Sequence, residues 1–321
     1  MMKANATASV VIPVFNEQEN LPELLERSLK ACRSLNVPFE IILVDDGSRD
    51  RSPELLREAA EKNPGEIVAV LLNRNYGQHS AVMAGFAHAK GDVIVSLDAD
   101  LQNPPEEIPN LYRKMVSEDL DVVAGIRVPR EDSALRKVPS WIVNRVTQKV
   151  TGVKMHDYGC MLRAYSARVV QAMLQCTEQS TFIPVLANSF AKHTAEIEVK
   201  HAARVRGDSK YSIFKLINLQ FDLLTSMTTF PLRLLSYVGA VVAFFGLALS
   251  VFIMIERFLH GDAFTEKGVF TMFAILFIFV GAQFVGMGLM GEYIGRIYRD
   301  VRARPRYLVH EVKGVSRLAA P

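Results

Sequence analysis

The chemistry in this chain is concentrated in residues 91–102, GDVIVSLDADLQ. Val93 to Leu97 form a short, β-branched apolar run, and Asp98, Asp100 and Gln102 follow it. A buried strand that runs straight into two acids delivers carboxylates to the end of a sheet. Asp98 and Asp100 sit two apart, so an extended backbone puts both on one face. Two carboxylates and an amide oxygen this close together suit a hard cation such as Mg²⁺ or Mn²⁺. Such ions prefer oxygen ligands and share their shell with substrate phosphates. Taken alone, the Asp-x-Asp pattern fits a solvated strand-to-loop turn equally well, because short acidic patterns are common.

The elements that must position these acids are legible upstream. Residues 9–15 predict a strand, followed by a helix to about residue 35. Residues 39–44 predict a second strand and residues 50–62 a helix, with Ser52 as its cap before Pro53. Residues 66–72 predict a third strand, and residues 80–90 a helix that returns to the Asp98 strand. This alternation predicts an α/β fold with a parallel sheet and right-handed crossovers. Ligands collect at the carboxyl ends of such strands. Polar clusters fall at all four ends: Asn16 and Glu17, Asp45 and Asp46, Asn73 and Arg74, Asp98 and Asp100. Together they predict a nucleotide-sized crevice. No G-x-G-x-x-G follows the first strand, which disfavours a dinucleotide oxidoreductase.

Residues 121–125 read as a further strand. Arg127, Arg130, Arg136 and Lys137 then form either a solvated basic surface or a phosphate-binding rim. Residues 141–151 predict a helix, residues 180–184 begin another, and residues 196–200 predict a strand.

The 321 residues carry a net charge of only +3, with no basic arm and no zinc spacing, so nucleic acid is not an expected partner. Cys32, Cys160 and Cys176 are far apart and read as reduced thiols of a cytosolic domain. The N-terminus is polar, without the apolar core of a signal peptide.

The last third differs in kind. Residues 211–229 repeat polar positions at helical spacing beneath a wide apolar face, as in an interfacial helix. Residues 234–255 and 269–290 are apolar runs without a charge. At 1.5 Å per residue each reaches about 33 Å, enough to cross a bilayer. Cations crowd the outer flanks at Lys210, Lys215 and Arg233, then at Arg296, Arg299, Arg302, Arg304 and Arg306. The positive-inside bias puts both flanks in the cytoplasm. Glycines at 281, 286, 288, 291 and 295 permit close helix packing within a hairpin or between subunits. Neither run contains an ionisable residue, which argues against a transporter. The expected organisation is a catalytic domain at 1–205, interfacial helices at 206–233, a transmembrane hairpin at 234–290 and a cytoplasmic tail at 291–321.

Four stretches carry a resemblance: residues 73–81 (NRNYGQHSA), 97–109 (LDADLQNPPEEIP), 158–165 (YGCMLRAY) and 288–307. With the R-x-x-G-x-S-K element at residues 204–210, they resemble family 2 glycosyltransferases of the polyisoprenyl-phosphate branch. The similarity spans Val10 to about Tyr307. It implies a GT-A nucleotide-sugar domain, Rossmann-like, followed by an amphipathic helix and a two-helix membrane hairpin. It is strongest toward members that transfer 4-deoxy-4-formamido-L-arabinose from its UDP-sugar to undecaprenyl phosphate, for lipid A modification and polymyxin resistance.

The resemblance also implies roles. Pro13, Phe15 and Glu17 would line the uridine pocket, and Asp46 would hold the uracil edge. Asp98 would approach the ribose or the metal, and Asp100 with Gln102 would bind Mg²⁺ or Mn²⁺. Asp157 would lie near the transferred sugar, orienting it or acting as a base. His156 stands before it where a small residue is expected. Arg204, Ser209 and Lys210 would meet the acceptor phosphate, joined by Arg127 and Arg163. The expected location is the bacterial inner membrane with the active site cytoplasmic, and the expected assembly is a homo-oligomer, a tetramer by analogy. The alternatives are transfer of glucose or mannose to a polyprenyl phosphate, and, in another class, a non-catalytic nucleotide-sugar-binding protein. The intact acids speak against the latter.

Overall fold

A computed structural model describes residues 5–128, 159–176, 182–200, 230–260, 269–302 and 304–318. The chain divides into two units: Met1–Gln220 with Ala303–Pro321, and Phe221–Arg302.

The first unit begins as the alternation requires: β1 (Ala8–Val14), α1 (Leu21–Arg33), β2 (Phe39–Asp45), α2 (Ser52–Lys62), β3 (Ile67–Leu72), α3 (Gln78–His88) and β4 (Val93–Ser96). α4 (Ile108–Glu118) and β5 (Val122–Val128) follow. Then come β6 (Arg163–Ser166), α5 (Ala167–Gln175), α6 (Ile183–Phe190) and β7 (Thr194–Lys200). Every residue of β2 and β3 is buried. That is why these strands read as continuous apolar runs, since helices cover both faces of a central parallel sheet.

The eight strands form one sheet in the order β7-β5-β6-β4-β1-β2-β3-β8. β1 to β4 are parallel to their neighbours in this set. The expectation of a parallel sheet is corrected at two places. β6 runs antiparallel to both β4 and β5, and β8 (Val309–Lys313) runs antiparallel to β3. The sheet is therefore mixed. Strand-helix alternation announces parallel crossovers only, and neither β6 nor β8 arrives by one.

The second unit contributes α7 (Phe230–His260) and α8 (Val269–Val301). Among the described residues one segment, Pro231–Leu249, is long and apolar enough to cross a membrane, with mean hydropathy 2.0. A Cβ added at Gly286 of α8 would lie 3.2 Å from Leu235 of α7, so these two positions pack closely. The interfacial helix expected over 211–229 lies outside the described residues.

Candidate active site

Parallel register brings the strand ends together. Val14 pairs with Asp45, and Val11 pairs with Ser96. Asp45, the last residue of β2, turns its carboxylate back on its own loop and accepts from the Gly47 and Ser48 amides at 3.1 and 3.2 Å.

The loops after β1 and β2 are laced together. Asn16 takes the left-handed conformation at φ 56° and accepts from Arg49 N–H at 2.8 Å. Its own N–H donates to Ser48 Oγ at 2.9 Å. Ser52 is corrected as the cap of α2. Its hydroxyl accepts from Glu17 N–H at 3.0 Å, while Asp50 Oδ1 accepts from Ser52 N–H at 3.0 Å. Ser52 is the first residue of α2, and the N-cap position is Arg51, which makes no side-chain capping bond.

Asp46, next along, is buried and spans to the loop after β3. Its two oxygens accept from Tyr76 N–H at 2.7 Å and Gly77 N–H at 2.8 Å. Burial raises its pKa, and these two bonds pull the other way. Gly47 has φ +68°, and a Cβ there would come within 2.4 Å of the Arg74 backbone, so the two loops touch only because residue 47 is glycine. Arg74 lies over the Tyr76 ring at 4.7 Å, and the Tyr76 hydroxyl donates to Asn73 Oδ1 at 2.8 Å.

The fourth strand end completes the ring. Gln78 opens α3 and donates from Nε2 to Asp98 Oδ1 at 2.6 Å. Asp98 is partly exposed at the surface of the crevice but densely surrounded by protein. Burial, and then the neighbouring Asp100 carboxylate, push its pKa up to about 7. Arg127 and the Gln78 amide oppose that rise. Asp100 Oδ1 accepts from Gln102 N–H at 3.2 Å.

These groups border one open cavity of about 400 Å³. Pro13, Phe15, Glu17, Asp46, Asp98 and Asp100 line it, together with Val14, Asn75, Gly77, Gln78 and Ala99. Phe15 is 44% exposed there, an apolar surface beside acids. Six of the residues picked from sequence thus share one cavity. Gln78 was not picked, although it sits in a quoted stretch. Its signal was its place directly after Gly77, at the first turn of a helix facing Asp98.

Arg163 stands elsewhere. It is fully buried on β6 and its Nε donates to the Cys160 carbonyl at 2.8 Å. The resemblance assigns it to the acceptor phosphate; on β6 its side chain stands inside the sheet. Gln102 and Arg74 do not line the cavity. Asp157, Arg204, Ser209 and Lys210 lie outside the described residues, as do His156, Arg130, Arg136 and Lys137.

Among the described residues no three His, Cys, Asp or Glu side chains cluster as a ready metal cage. Asp98 and Asp100 are instead a pair of acids in mutual repulsion at the cavity wall. Such a pair fits a cation whose remaining ligands come from phosphate and water.

The family described as glycosyl transferase family 2 matches residues 9–174. A relative from Serratia proteamaculans, named undecaprenyl-phosphate 4-deoxy-4-formamido-L-arabinose transferase, is 61% identical over 306 residues. That match spans 95% of this chain and 94% of the relative. A relative of the same name from Pseudomonas paraeruginosa is 58% identical over 313 residues, spanning 98% of this chain and 92% of its own length. Among solved structures, glucosyl-3-phosphoglycerate synthase from Mycobacterium tuberculosis is similar with a TM-score of 0.48 and 18% identity, over 70% of this chain and 80% of that one. The chain belongs to glycosyl transferase family 2 and is a glycosyltransferase.

Proposed function

We propose that this enzyme transfers 4-deoxy-4-formamido-L-arabinose from its UDP-sugar to undecaprenyl phosphate, in the service of lipid A modification. The observation that carries the reading is the 61% identity over 95% of the chain to a relative of that name. The strand-end cavity, with its acids and its one exposed aromatic, supports a diphosphate-linked nucleotide donor.

Pro13, Phe15 and Glu17 would hold the uridine, with Asp46 shaping the loop across it. Asp98, Asp100 and Gln102 would hold Mg²⁺ or Mn²⁺, which supplies positive charge to the departing diphosphate. Arg127, Arg204, Ser209 and Lys210 would hold the acceptor phosphate, and Asp157 would orient the sugar. Arg163, buried in β6, would support the site through the Cys160 backbone.

An acceptor phosphate is already anionic near neutral pH, so a strong base is not required. One of its oxygens bonds to the anomeric carbon while the bond from that carbon to the UDP oxygen breaks. The electron pair leaves with UDP, and the anomeric configuration inverts. The residues contribute alignment of two anions and electrostatic control.

A water-insoluble acceptor requires a site at the bilayer. α7 carries a span of mean hydropathy 2.0 with none of it buried. α8, 33 residues long, exposes Ile275, Leu276, Phe279, Phe284 and Val285. β8 follows α8 in the chain yet pairs with β3. β7 before this segment and β8 after it belong to one sheet, so a chain that leaves β7 and returns at β8 would cross a bilayer an even number of times. That argument supports a two-helix hairpin in the inner membrane. The Arg296, Arg299 and Arg302 end of α8 fits the cytoplasmic side.

The test is transfer by purified protein given undecaprenyl phosphate, Mg²⁺ and a panel of UDP-sugars, read by lipid mass. A formamido-arabinose adduct supports the proposal. Adducts from UDP-glucose alone overturn the sugar and spare the family.

A further inference from the structure

Residues 304–318 come back to the catalytic unit after α8. β8 pairs Lys313 with Ala69, Val312 with Val70 and Glu311 with Leu71. The register then shifts between Leu71 and Leu72, so that Leu72 faces Val309. The shift delivers one more bond: Asn73 N–H donates to the Leu308 carbonyl at 3.1 Å.

The docking is specific. Arg57 bonds Glu311 and Lys313 pairs with Glu61, each at 3.0 Å. Beyond the strand, Arg317 N–H donates to the Gly65 carbonyl at 3.1 Å, and its guanidinium reaches the Pro64 carbonyl at 3.1 Å. Gly314 has φ +90°, and a Cβ there would meet the Ile67 carbonyl oxygen at 2.5 Å, so the strand seats only with glycine at this position.

Asn73 begins the loop whose Asn75, Gly77 and Gln78 line the cavity. Its far end is fixed by Asp46 and by the Gln78–Asp98 bond. Its near end is fixed by Leu308, from the other end of the chain. A loop pinned at both ends presents its cavity-lining groups without an ordering cost on binding.

We infer that the C-terminal strand is a positioning element of the donor site, with the Leu308 carbonyl setting the start of loop 73–77 and so the reach of Asp46 and Gln78. This rests on the reading of the cavity as the nucleotide-sugar site.

The experiment is UDP titration in the presence of Mg²⁺ on full-length protein in detergent, wild type against Gly314→Val, with hydrogen exchange read at residues 73–77 and 309–313. The expected result is about tenfold weaker UDP binding with faster exchange in both segments. Glu311→Arg sets two cations together at the strand edge and leaves the core intact. It shifts UDP binding in the same direction and covers the case in which Gly314→Val does not fold. A released strand with unchanged UDP affinity overturns the inference, and so does a lower melting temperature alone. Wild type that binds no UDP overturns the donor-site reading itself, and the inference with it, and is recognised before any variant is compared.

Discussion

Gln78 Nε2 lies 2.6 Å from Asp98 Oδ1, joining the first turn of α3 to the end of β4 across the cavity. The bond, with Arg127, favours the charged form of a carboxyl that burial, and then Asp100, push up to about 7. Gln78→Ala removes the donor and leaves α3 intact. It is expected to lower kcat/KM about tenfold, the scale of a hydrogen bond to a charged group. Gln78→Glu adds a third acid and is expected to do more harm at low Mg²⁺ than at high. Steady-state kinetics across Mg²⁺ concentrations checks both.

The raised pKa of Asp98 has a sign. The protonated form is favoured in the folded chain, so its contribution to stability is whole below the ordinary carboxylate range and is lost as pH rises through about 7. The metal-free protein is therefore expected to melt at lower temperature at pH 8 than at pH 5, and Asp98→Asn is expected to flatten that difference. Thermal scans after chelation read it.

Asp46 joins two loops through the Tyr76 and Gly77 amides. Asp46→Ala orphans both donors at a cost of about 1–3 kcal/mol each where they are shielded from water. The expected outcome is a melting temperature several degrees lower and a raised KM for the UDP-sugar, with the KM for the lipid unchanged. Asp45→Asn, on a carboxylate that serves its own turn, is expected to lower stability and to spare KM.

The proposed even number of crossings is open to labelling. With Glu266→Cys between the long helices and Arg304→Cys after them, a membrane-impermeant maleimide on intact spheroplasts is expected to mark the first only. Marking of both before permeabilisation contradicts the hairpin.

Much of this architecture was visible in the residue order, and the exceptions have physical causes. The four buried strands announce themselves as apolar runs because both their faces are covered. Their polar ends, Glu17, Asp46, Asp98 and Asp100, fall into one cavity because parallel strands end on one side. β8 was invisible: VHEVK is short, alternating and half polar, and its partner lies over two hundred residues away. Adjacent acids were also ambiguous. Asp45 and Asp46 look alike in sequence, and only the register of β2 decides which one reaches across to Tyr76. Ser52 followed the capping preference, but tertiary contact with Glu17 claimed its hydroxyl.

The most direct measurement is transfer to undecaprenyl phosphate by wild type and Asp100→Asn, purified side by side, with equal folding shown by melting and the product identified by mass. The predicted result is a formamido-arabinose lipid from wild type and a rate at least about a hundredfold lower from the variant. Turnover by Asp100→Asn at the wild-type rate would contradict the account.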